Sequence, residues 1–303
     1  MKHFADRVAV ITGAASGFGR EFARTGAQLG MKLVLADVDA PALASLQAEL
    51  EARGVDVLAL ACDVSQSGDV QALADAAMGR HGAVHLLFNN AGVGCGGLIW
   101  EHSEADWEWL LGVNLWGVIH GVRIFTPLML AGAAADPNYE GHIVNTASIA
   151  GLLNASNMGA YNVTKHAVVS LSETLYHDLR LIDAAVGASV LCPHYVPTGI
   201  HKSERNRPDD LRNRADPTAS QVAARLLADK SVRSGKLTAA QVSQAAFDAV
   251  RDGRFYIHTH PEMLDAVQDH MSDILHQHNP RDPLAAEPRA MALLQARLKA
   301  RKA

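Results

Sequence analysis

Two side chains in one predicted helix could move a proton together. Tyr161 and Lys165 are four residues apart in the segment YNVTK, so a helix places them on the same face. A phenol has an ordinary pKa of about 10 and is a poor base at neutral pH. The ammonium group of Lys165 favours the phenolate, and we therefore expect it to lower the pKa of Tyr161. Tyr161 could then take a proton from an alcohol or return it to a carbonyl oxygen.

Ser148 could complete this site from the end of a predicted strand. It lies thirteen residues before Tyr161, and its hydroxyl can hold a substrate carbonyl oxygen beside the phenol. Ser148 and Tyr161 are therefore predicted to contact the substrate. A tyrosine and a lysine at this spacing are usually a surface feature, so the prediction rests on the catalytic residues together rather than on the pair.

A glycine-rich segment, VITGAASGFGR, follows the first predicted strand and opens the first predicted helix. Gly13 permits a tight turn there. Gly17 and Gly19 let the backbone approach a pyrophosphate, whose charge lies at the helix N-terminus. The segment predicts a dinucleotide site because a strand precedes it and a helix follows it.

Asp37 ends the second predicted strand, where a carboxylate can bind both adenosine ribose hydroxyls and repels a 2'-phosphate. Ser16 and Val38 occupy the positions where an NADP site usually carries a basic side chain. We therefore predict NAD as the cofactor, with NADP as the alternative. Asp63 could hold the adenine amino group or cap the helix that opens near Ser65.

Short aliphatic segments alternate with segments of helical period through the first 200 residues. Near-continuous apolar strands are typical of a sheet covered by helices on both faces. The alternation predicts an α/β fold, a Rossmann-type doubly wound parallel sheet in three α/β/α layers. The predicted strands are 7–12, 32–37, 55–63, 84–90, 141–148, 187–193 and 254–260, and the predicted helices are 17–30, 40–53, 67–82, 103–131, 161–182 and 238–252.

The domain prediction is a single catalytic domain over residues 1–260, with a substrate lid region at 201–250 inside it. Residues 261–303 are predicted to form a helical C-terminal extension, whose last helix is basic and spans about 288–302. The extension could add an oligomer contact or close the substrate pocket, and both alternatives stay open.

Four motifs in order resemble the short-chain dehydrogenase/reductase family. They are TGAASGFG (12–19), NNAG (89–92), Ser148 and YNVTK (161–165), and the resemblance covers about residues 5–200 with a strand near 255. It implies about seven strands and hydride transfer at an alcohol or ketone. By the same resemblance, Asn114 in GVNLWG completes a proton relay through water and Lys165, and Lys165 binds the nicotinamide ribose.

The segment CPHYVPTGI departs from the family pattern, in which a Pro-Gly pair precedes a valine and a threonine. Pro193, Val196 and Thr198 match, and the resemblance implies that Val196 and Thr198 hold the nicotinamide carboxamide. His194 stands where glycine is usual, and Pro197 is an addition that fixes φ near -65°. We expect a stiffer cofactor clamp, with His194 or Tyr195 facing the substrate.

The predicted site therefore has three overlapping sets of residues. The catalytic residues are Asn114, Ser148, Tyr161 and Lys165, and the substrate-binding residues are Ser148, Tyr161, His194 and Tyr195. The cofactor-binding residues are Gly13, Ser16, Gly17, Phe18, Gly19, Asp37, Asp63, Val64, Asn90, Ala91, Gly92, Tyr161, Lys165, Pro193, Val196 and Thr198.

The resemblance also implies a homodimer or homotetramer formed by the helices around 103–131 and 161–182. The second helix carries Val168, Leu171, Leu175 and Leu179 at helical spacing. The closest resemblance is to bacterial members that oxidise secondary alcohols, or reduce ketones, with bulky groups on both sides. Aryl ketones and lignin-derived benzylic alcohols are examples.

Composition excludes several other classes of protein. The 303 residues carry a net charge of -5 with no basic block, which disfavours nucleic acid and anionic membranes as partners. The N-terminus lacks signal-peptide regions, and we expect no apolar run near the roughly 20 residues that cross a bilayer. Three cysteines without metal spacing indicate free thiols, so a cytoplasmic protein is expected.

Fifteen histidines raise the question of a metal site. His258 and His260 would share a strand face, with His276 and His278 following, but no acid or cysteine spacing completes a ligand set. We therefore predict no metal.

Two other functions are compatible with a dinucleotide-binding fold. A non-catalytic sensor of cofactor level typically loses the tyrosine or the lysine, both of which are present here. An epimerase or dehydratase acting on nucleotide sugars is disfavoured by the compact length and by NNAG.

Overall fold

The structure is a computed structural model that describes residues 1–299. Its strands are β1 (Val8–Thr12), β2 (Lys32–Asp37), β3 (Val57–Ala61), β4 (Leu86–Asn89), β5 (Gly141–Thr146), β6 (Val186–Cys192) and β7 (Tyr256–His258). They form one sheet in the order β3-β2-β1-β4-β5-β6-β7, and all neighbours are parallel. The predicted doubly wound parallel sheet is confirmed.

Ten α-helices occur in the described residues. They are α1 (Gly17–Gln28), α2 (Ala40–Glu51), α3 (Ser67–His81), α4 (Glu104–Leu111), α5 (Gly117–Ala135), α6 (Gly159–Leu181), α7 (Ala219–Arg233), α8 (Ala239–Asp252), α9 (Leu264–Leu275) and α10 (Pro288–Lys299). A π-helical turn, Gly112–Trp116, joins α4 to α5. The predicted last helix begins at 288, and residues 300–302 of that prediction lie outside the described residues.

Two apolar clusters cover the two faces of the sheet. On one face Phe22, Phe88 and Phe247 pack together, with ring centroids 4.3 Å apart for Phe22 and Phe88 and 5.4 Å apart for Phe88 and Phe247. On the other face Phe125 and Met129 are fully buried against strand residues. This is the three-layer α/β/α arrangement that the apolar strands predict.

The strand order reverses between β1 and β4. Crossovers from these two strands run to opposite faces of the sheet, which opens a crevice at their carboxyl ends. Local signals fix the helices that border it. Ser103 and Asp106 form a reciprocal capping box at the start of α4, and Thr218 and Gln221 do the same for α7.

The helix from Glu104 to Ala135 corrects our expectation about apolar runs. It continues through the π turn for 32 residues, and an 18-residue window has a mean hydropathy of 1.5. By length and composition alone it is long enough to cross a membrane. In the structure 33% of that window is buried, and Val118, Phe125 and Met129 pack among strand residues. The buried third of this window therefore packs against the sheet of the same chain.

The stripe on α6 that we assigned to an oligomer contact faces the sheet instead. Val168 is 0% exposed, and Leu175 and Leu179 are 8% and 4% exposed, within the apolar clusters of the chain. The prediction was wrong because helical spacing identifies an apolar face without identifying what covers it.

The predicted lid region contains two different parts. Residues 200–233, with two 3-10 segments (Ile200–Asn206 and Asp209–Leu211) and α7, border the crevice. In contrast, α8 packs on α1 and buries Phe247 beneath the sheet. Of the predicted lid region 201–250, only the part up to α7 therefore borders the cavity.

His142 predicts how acid affects stability. It lies in β5, is 3% exposed, and its Nε2 is 2.7 Å from Ser189 Oγ. Burial lowers the pKa of His142 to about 3, so the folded protein keeps the ring neutral. An unfolded histidine titrates near pH 6.5. Between pH 6.5 and 3 the unfolded state therefore binds a proton that the folded state does not, and stability falls as the pH falls.

We expect the wild-type free energy of unfolding to drop by up to roughly 5 kcal/mol from this residue across that range. His142→Gln should lower stability at pH 7 but give a shallower pH slope in urea unfolding. His3→Gln, at a side chain that is 81% exposed, is the control and should keep the wild-type slope. Equal slopes for all three proteins would contradict the assignment.

Candidate active site

A cavity of about 1310 Å³ opens at the carboxyl ends of the strands. It is lined by most of the predicted residues: Gly13, Ser16, Gly17, Phe18, Asp37, Asp63, Val64, Asn90, Ala91, Gly92, Ser148, Tyr161, Lys165, Pro193, His194, Tyr195, Val196 and Thr198. Of the predicted set, Gly19 and Asn114 lie off its wall.

The glycine-rich loop contacts two other parts of the site. Gly13 has φ +64, and a Cβ there would lie 2.8 Å from Ala91 Cα. Gly17 has φ +52, and a Cβ there would lie 3.3 Å from Thr198 Cβ. Gly19 differs from our expectation, since its Cβ would lie 2.1 Å from the Gly13 carbonyl oxygen. Gly19 therefore lets α1 pack on the loop, and it does not face the cavity.

The carboxylates of Asp37, at the end of β2, and Asp63, after β3, accept hydrogen bonds from backbone amides. Asp37 accepts hydrogen bonds from Ala15 N at 2.8 Å and Asp39 N at 3.0 Å, and it is 8% exposed. Burial raises the pKa of Asp37 although these amides oppose the shift. Asp63 Oδ1 accepts from Ser65 N at 2.9 Å, so this carboxylate supports the turn before α3 while also lining the cavity.

Thr12, which the sequence analysis missed, fastens NNAG to the end of β1. Its Oγ1 accepts hydrogen bonds from Asn90 N at 2.9 Å and Ala91 N at 3.1 Å, and its carbonyl accepts from Asn90 Nδ2 at 3.0 Å. Asn89 Nδ2 donates to Asn145 Oδ1 at 2.9 Å, which ties β4 to β5. The glycine-rich loop, Asp37 and NNAG thus form a rigid cradle that fits a dinucleotide.

Ser148, Tyr161 and Lys165 come together beside this cradle. Ser148 and Tyr161 are both buried, and the Ser148 hydroxyl is close enough to the phenol to lower its pKa. Lys165 Nζ lies 5.7 Å from the centroid of the Tyr161 ring. The same ammonium group donates to the Thr146 carbonyl at 2.9 Å, a contact with no signal in the sequence.

The pKa values of this group differ from the sequence-based expectation. Burial raises the pKa of Tyr161 to about 12, while the Ser148 hydrogen bond opposes that shift and nearby Tyr195 adds to it. Burial lowers the pKa of Lys165 to about 8. We expected Lys165 to lower the tyrosine pKa, but in this structure the desolvation of the phenol outweighs other effects.

Asn114 lies within the π turn behind the cavity wall. Its Oδ1 accepts from Val93 N at 2.8 Å, and its Nδ2 donates to Val93 O at 3.0 Å and Thr164 Oγ1 at 3.2 Å. A Cβ on Gly92 would lie 3.4 Å from Asn114 Oδ1 and 3.7 Å from Lys165 Nζ. The side chain of Asn114 therefore fastens the segment after NNAG to α6, next to the lysine that the predicted relay would serve.

The clamp after β6 is supported from both sides. Pro193 O accepts from Ser148 Oγ at 3.3 Å, and His194 N donates to His260 Nδ1 at 3.2 Å. The His194 ring lies 4.4 Å from the Tyr195 ring between centroids, and burial lowers the pKa of His194 to about 4. We predicted that His258 and His260 share a strand face. That prediction was wrong, because β7 ends at His258 and His260 lies beyond it.

Comparison with known proteins agrees with this geometry. Residues 7–209 match the family described as short chain dehydrogenase. This chain belongs to the short-chain dehydrogenase family. It is therefore an oxidoreductase on a Rossmann-type fold.

Individual relatives cover nearly the whole of this short-chain dehydrogenase. A short chain dehydrogenase/reductase from Burkholderia phymatum, whose crystal structure is in complex with NAD, is 57% identical with a TM-score of 0.91, covering 94% of this chain and 99% of that one. A CLA biosynthesis dehydrogenase/reductase from Lactiplantibacillus plantarum is 34% identical over 91% of this chain and 95% of its own length. A C alpha-dehydrogenase from a Sphingobium species is 32% identical over 97% and 94%.

Buried charges fasten the segment after the clamp to α4 in this dehydrogenase. Arg207 Nη1 lies 2.7 Å from Asp106 Oδ1, and the two side chains are 1% and 0% exposed. The guanidinium lies 4.9 Å from the centroid of the Trp109 ring. Burial alone would raise the pKa of Asp106, but hydrogen bonds from His102, the Ser103 amide, Arg207 and Asn213 hold it well below its usual range.

The fold also brings together Cys95, His102 and Asp106, which sequence spacing did not reveal. One ligand-type atom from each lies within 4.8 Å of the others. The Arg207 guanidinium on the same carboxylate repels a cation. Burial also raises the pKa of the Cys95 thiol to about 12, which disfavours the thiolate that a metal requires. These three side chains are better described as part of the Asp106 hydrogen-bond network.

Removing Arg207 should therefore cost much more than removing an exposed arginine nearby. Arg207→Met leaves the Asp106 carboxylate buried without its cation, and we expect urea unfolding to show a loss of about 3–5 kcal/mol. Arg212→Met removes an exposed pair with Asp209 and should cost less than about 1 kcal/mol. Similar losses in the two variants would show that the buried pair does not hold this segment.

Proposed function

We propose that this short-chain dehydrogenase interconverts a secondary alcohol and a ketone by hydride transfer with NAD. The observation that carries the proposal is that Ser148, Tyr161 and Lys165 lie on the wall of the cavity that contains the dinucleotide cradle, with Lys165 Nζ beside the Tyr161 ring. An acid/base pair and a cofactor cradle in one cavity are what this reaction requires.

The proposed mechanism assigns a separate task to each side chain. When bound, the nicotinamide supplies or accepts the hydride. Ser148 Oγ holds the substrate oxygen, and Tyr161 Oη donates a proton to it during ketone reduction or takes one from it during alcohol oxidation. A raised pKa keeps Tyr161 protonated at neutral pH, ready for donation. With a pKa of about 8, Lys165 is mostly protonated at pH 7. Its positive charge favours the phenolate that forms when Tyr161 donates its proton.

The choice of NAD rests on Asp37. Its buried carboxylate is fixed by two amides at the cavity wall, where a 2'-phosphate would meet a like charge. Val38 beside it is exposed and apolar, and Ser16 is polar without charge. The NAD-bound relative from Burkholderia phymatum supports the same choice.

The substrate proposed is an uncharged secondary alcohol or ketone with bulky groups. The size of the cavity and the similarity to a C alpha-dehydrogenase and to a CLA biosynthesis enzyme support this class.

We further propose a homodimer or homotetramer. Exposed apolar side chains near the outer faces of α5 and α6, namely Trp116, Val163 and Leu181, support an oligomer contact there. The three free cysteines support a reducing cytoplasmic location.

Tyr161→Phe tests the acid/base assignment. We expect kcat/KM for acetophenone reduction with NADH to fall by about 10²–10⁴-fold, while NADH affinity changes little. Tyr256→Phe is the matched control because it removes a phenol that is 45% exposed on β7. A Tyr161→Phe enzyme that keeps near wild-type turnover would refute the assignment. Tight NADH binding without turnover of any ketone or alcohol by the wild type would favour a sensor instead.

Asp37→Asn tests the cofactor choice. Removal of the charge should raise NADP affinity by about fivefold or more, because like charges a few ångströms apart cost on the order of 1 kcal/mol or more. Asp75→Asn makes the same change in net charge on the exposed side of α3 and should leave both affinities unchanged. Titration of cofactor fluorescence measures both. Equal effects of the two variants would refute a local role for Asp37.

A further inference from the structure

Part of the cavity wall comes from the C-terminal extension. Met263, Pro283 and Leu284 line the same cavity as Ser148 and Tyr161, although they follow the last strand of the sheet. The sequence left open whether this extension closes the pocket or adds an oligomer contact. In the structure part of it closes the pocket.

Leu284 is fixed in that wall by a small apolar cluster. It is 9% exposed and packs with Ala223 of α7 and Leu294 of α10. Both α7 and the short 3-10 segment Pro283–Ala286 pack against α10, so one cluster joins the cover of the cavity to the end of the chain. Burial of Leu284 therefore does not depend on a substrate.

Polar contacts set the position of the segment before Leu284. Asp282 Oδ1 accepts from Leu284 N at 2.9 Å and from Ser156 N at 3.3 Å, which ties the segment to the loop before α6. The Arg281 guanidinium donates to Asp273 Oδ1 at 2.7 Å and so anchors the segment to α9. These contacts fix the position of this segment relative to α6, the helix that carries Tyr161 and Lys165.

Tyr195 lines the same cavity as the proton-transfer residues and the extension. It is close enough to Tyr161 to raise that pKa. The charge of Glu287, in the extension, also reaches it. The three residues that the extension contributes to the cavity lining, Met263, Pro283 and Leu284, are all apolar.

We propose that Leu284 determines how large an apolar substituent of the substrate this enzyme accepts on the side of the cavity that the C-terminal extension lines. The inference rests on the proposed function and deepens it: one substituent of the ketone is an uncharged hydrocarbon group that extends from the Ser148–Tyr161 pair towards the C-terminal extension. A smaller residue at position 284 therefore allows a longer substituent on the substrate, and a larger residue allows only a shorter one.

The test uses Leu284→Ala and Leu284→Trp, with Leu294→Ala as the matched control. Leu294 belongs to the same cluster and is 5% exposed, but it does not line the cavity. The alanine variants should show similar drops in thermal midpoint. The probes are methyl ketones from 2-butanone to 2-dodecanone, reduced with NADH.

We expect the chain length at which kcat/KM falls to move up by one to three carbons in Leu284→Ala and down in Leu284→Trp. At that chain length the change should be roughly 10-fold or more, as expected for space that fits or excludes a methylene. Leu294→Ala should keep the wild-type profile. A profile that shifts equally in the two alanine variants, or in none, overturns the proposal.

A binding measurement separates this proposal from the proposed function. N-phenyl-1-naphthylamine is an uncharged apolar probe whose fluorescence rises on burial, and Leu284→Trp should weaken its binding about tenfold while Leu294→Ala leaves it unchanged. If the wild type reduces no ketone but the probe shows this pattern, the role of Leu284 in the cavity wall is supported and the proposed reaction is contradicted. If Leu284→Trp leaves both probe affinity and the ketone profile unchanged, the wall assignment fails.

Discussion

A buried cation holds the site together. Lys165 is 3% exposed, yet its ammonium group donates to the Thr146 carbonyl at 2.9 Å and lies 5.7 Å from the Tyr161 ring. Burial lowers its pKa to about 8, which measures how much the interior disfavours this charge. The contact joins the end of β5 to α6. The position of Tyr161 depends on that junction.

Around this centre, polar contacts with the backbone do most of the positioning. Thr12 holds NNAG, Asn114 holds the segment that follows it, and His260 holds the amide of His194. Each of these side chains is buried and hydrogen-bonds the backbone of the loop, which gives one geometry to loops that would otherwise be variable. The substrate side is built differently, because its cover is fixed by the buried Asp106–Arg207 pair and by the apolar cluster of Leu284.

Much of the fold and the candidate site could be predicted from local patterns. Continuous apolar segments identified the strands, and Gly13 marked a tight turn, where the structure has φ +64. Other expectations failed for one reason: a residue pattern does not state its neighbours. The apolar stripe of α6 was assigned to a partner subunit but faces the sheet, and Gly19 was assigned to a pyrophosphate but faces the Gly13 carbonyl.

The sequence by itself determined the layer architecture, the family resemblance and the candidate acid/base residues, because these depend on short-range periodicity and on short motifs. Only the tertiary structure decided the direction of the Tyr161 pKa shift, the buried network around Asp106 and the part of the cavity wall that the extension contributes. Burial depends on every element that covers a group, and Leu284 lies 123 residues along the chain from the tyrosine whose cavity it closes.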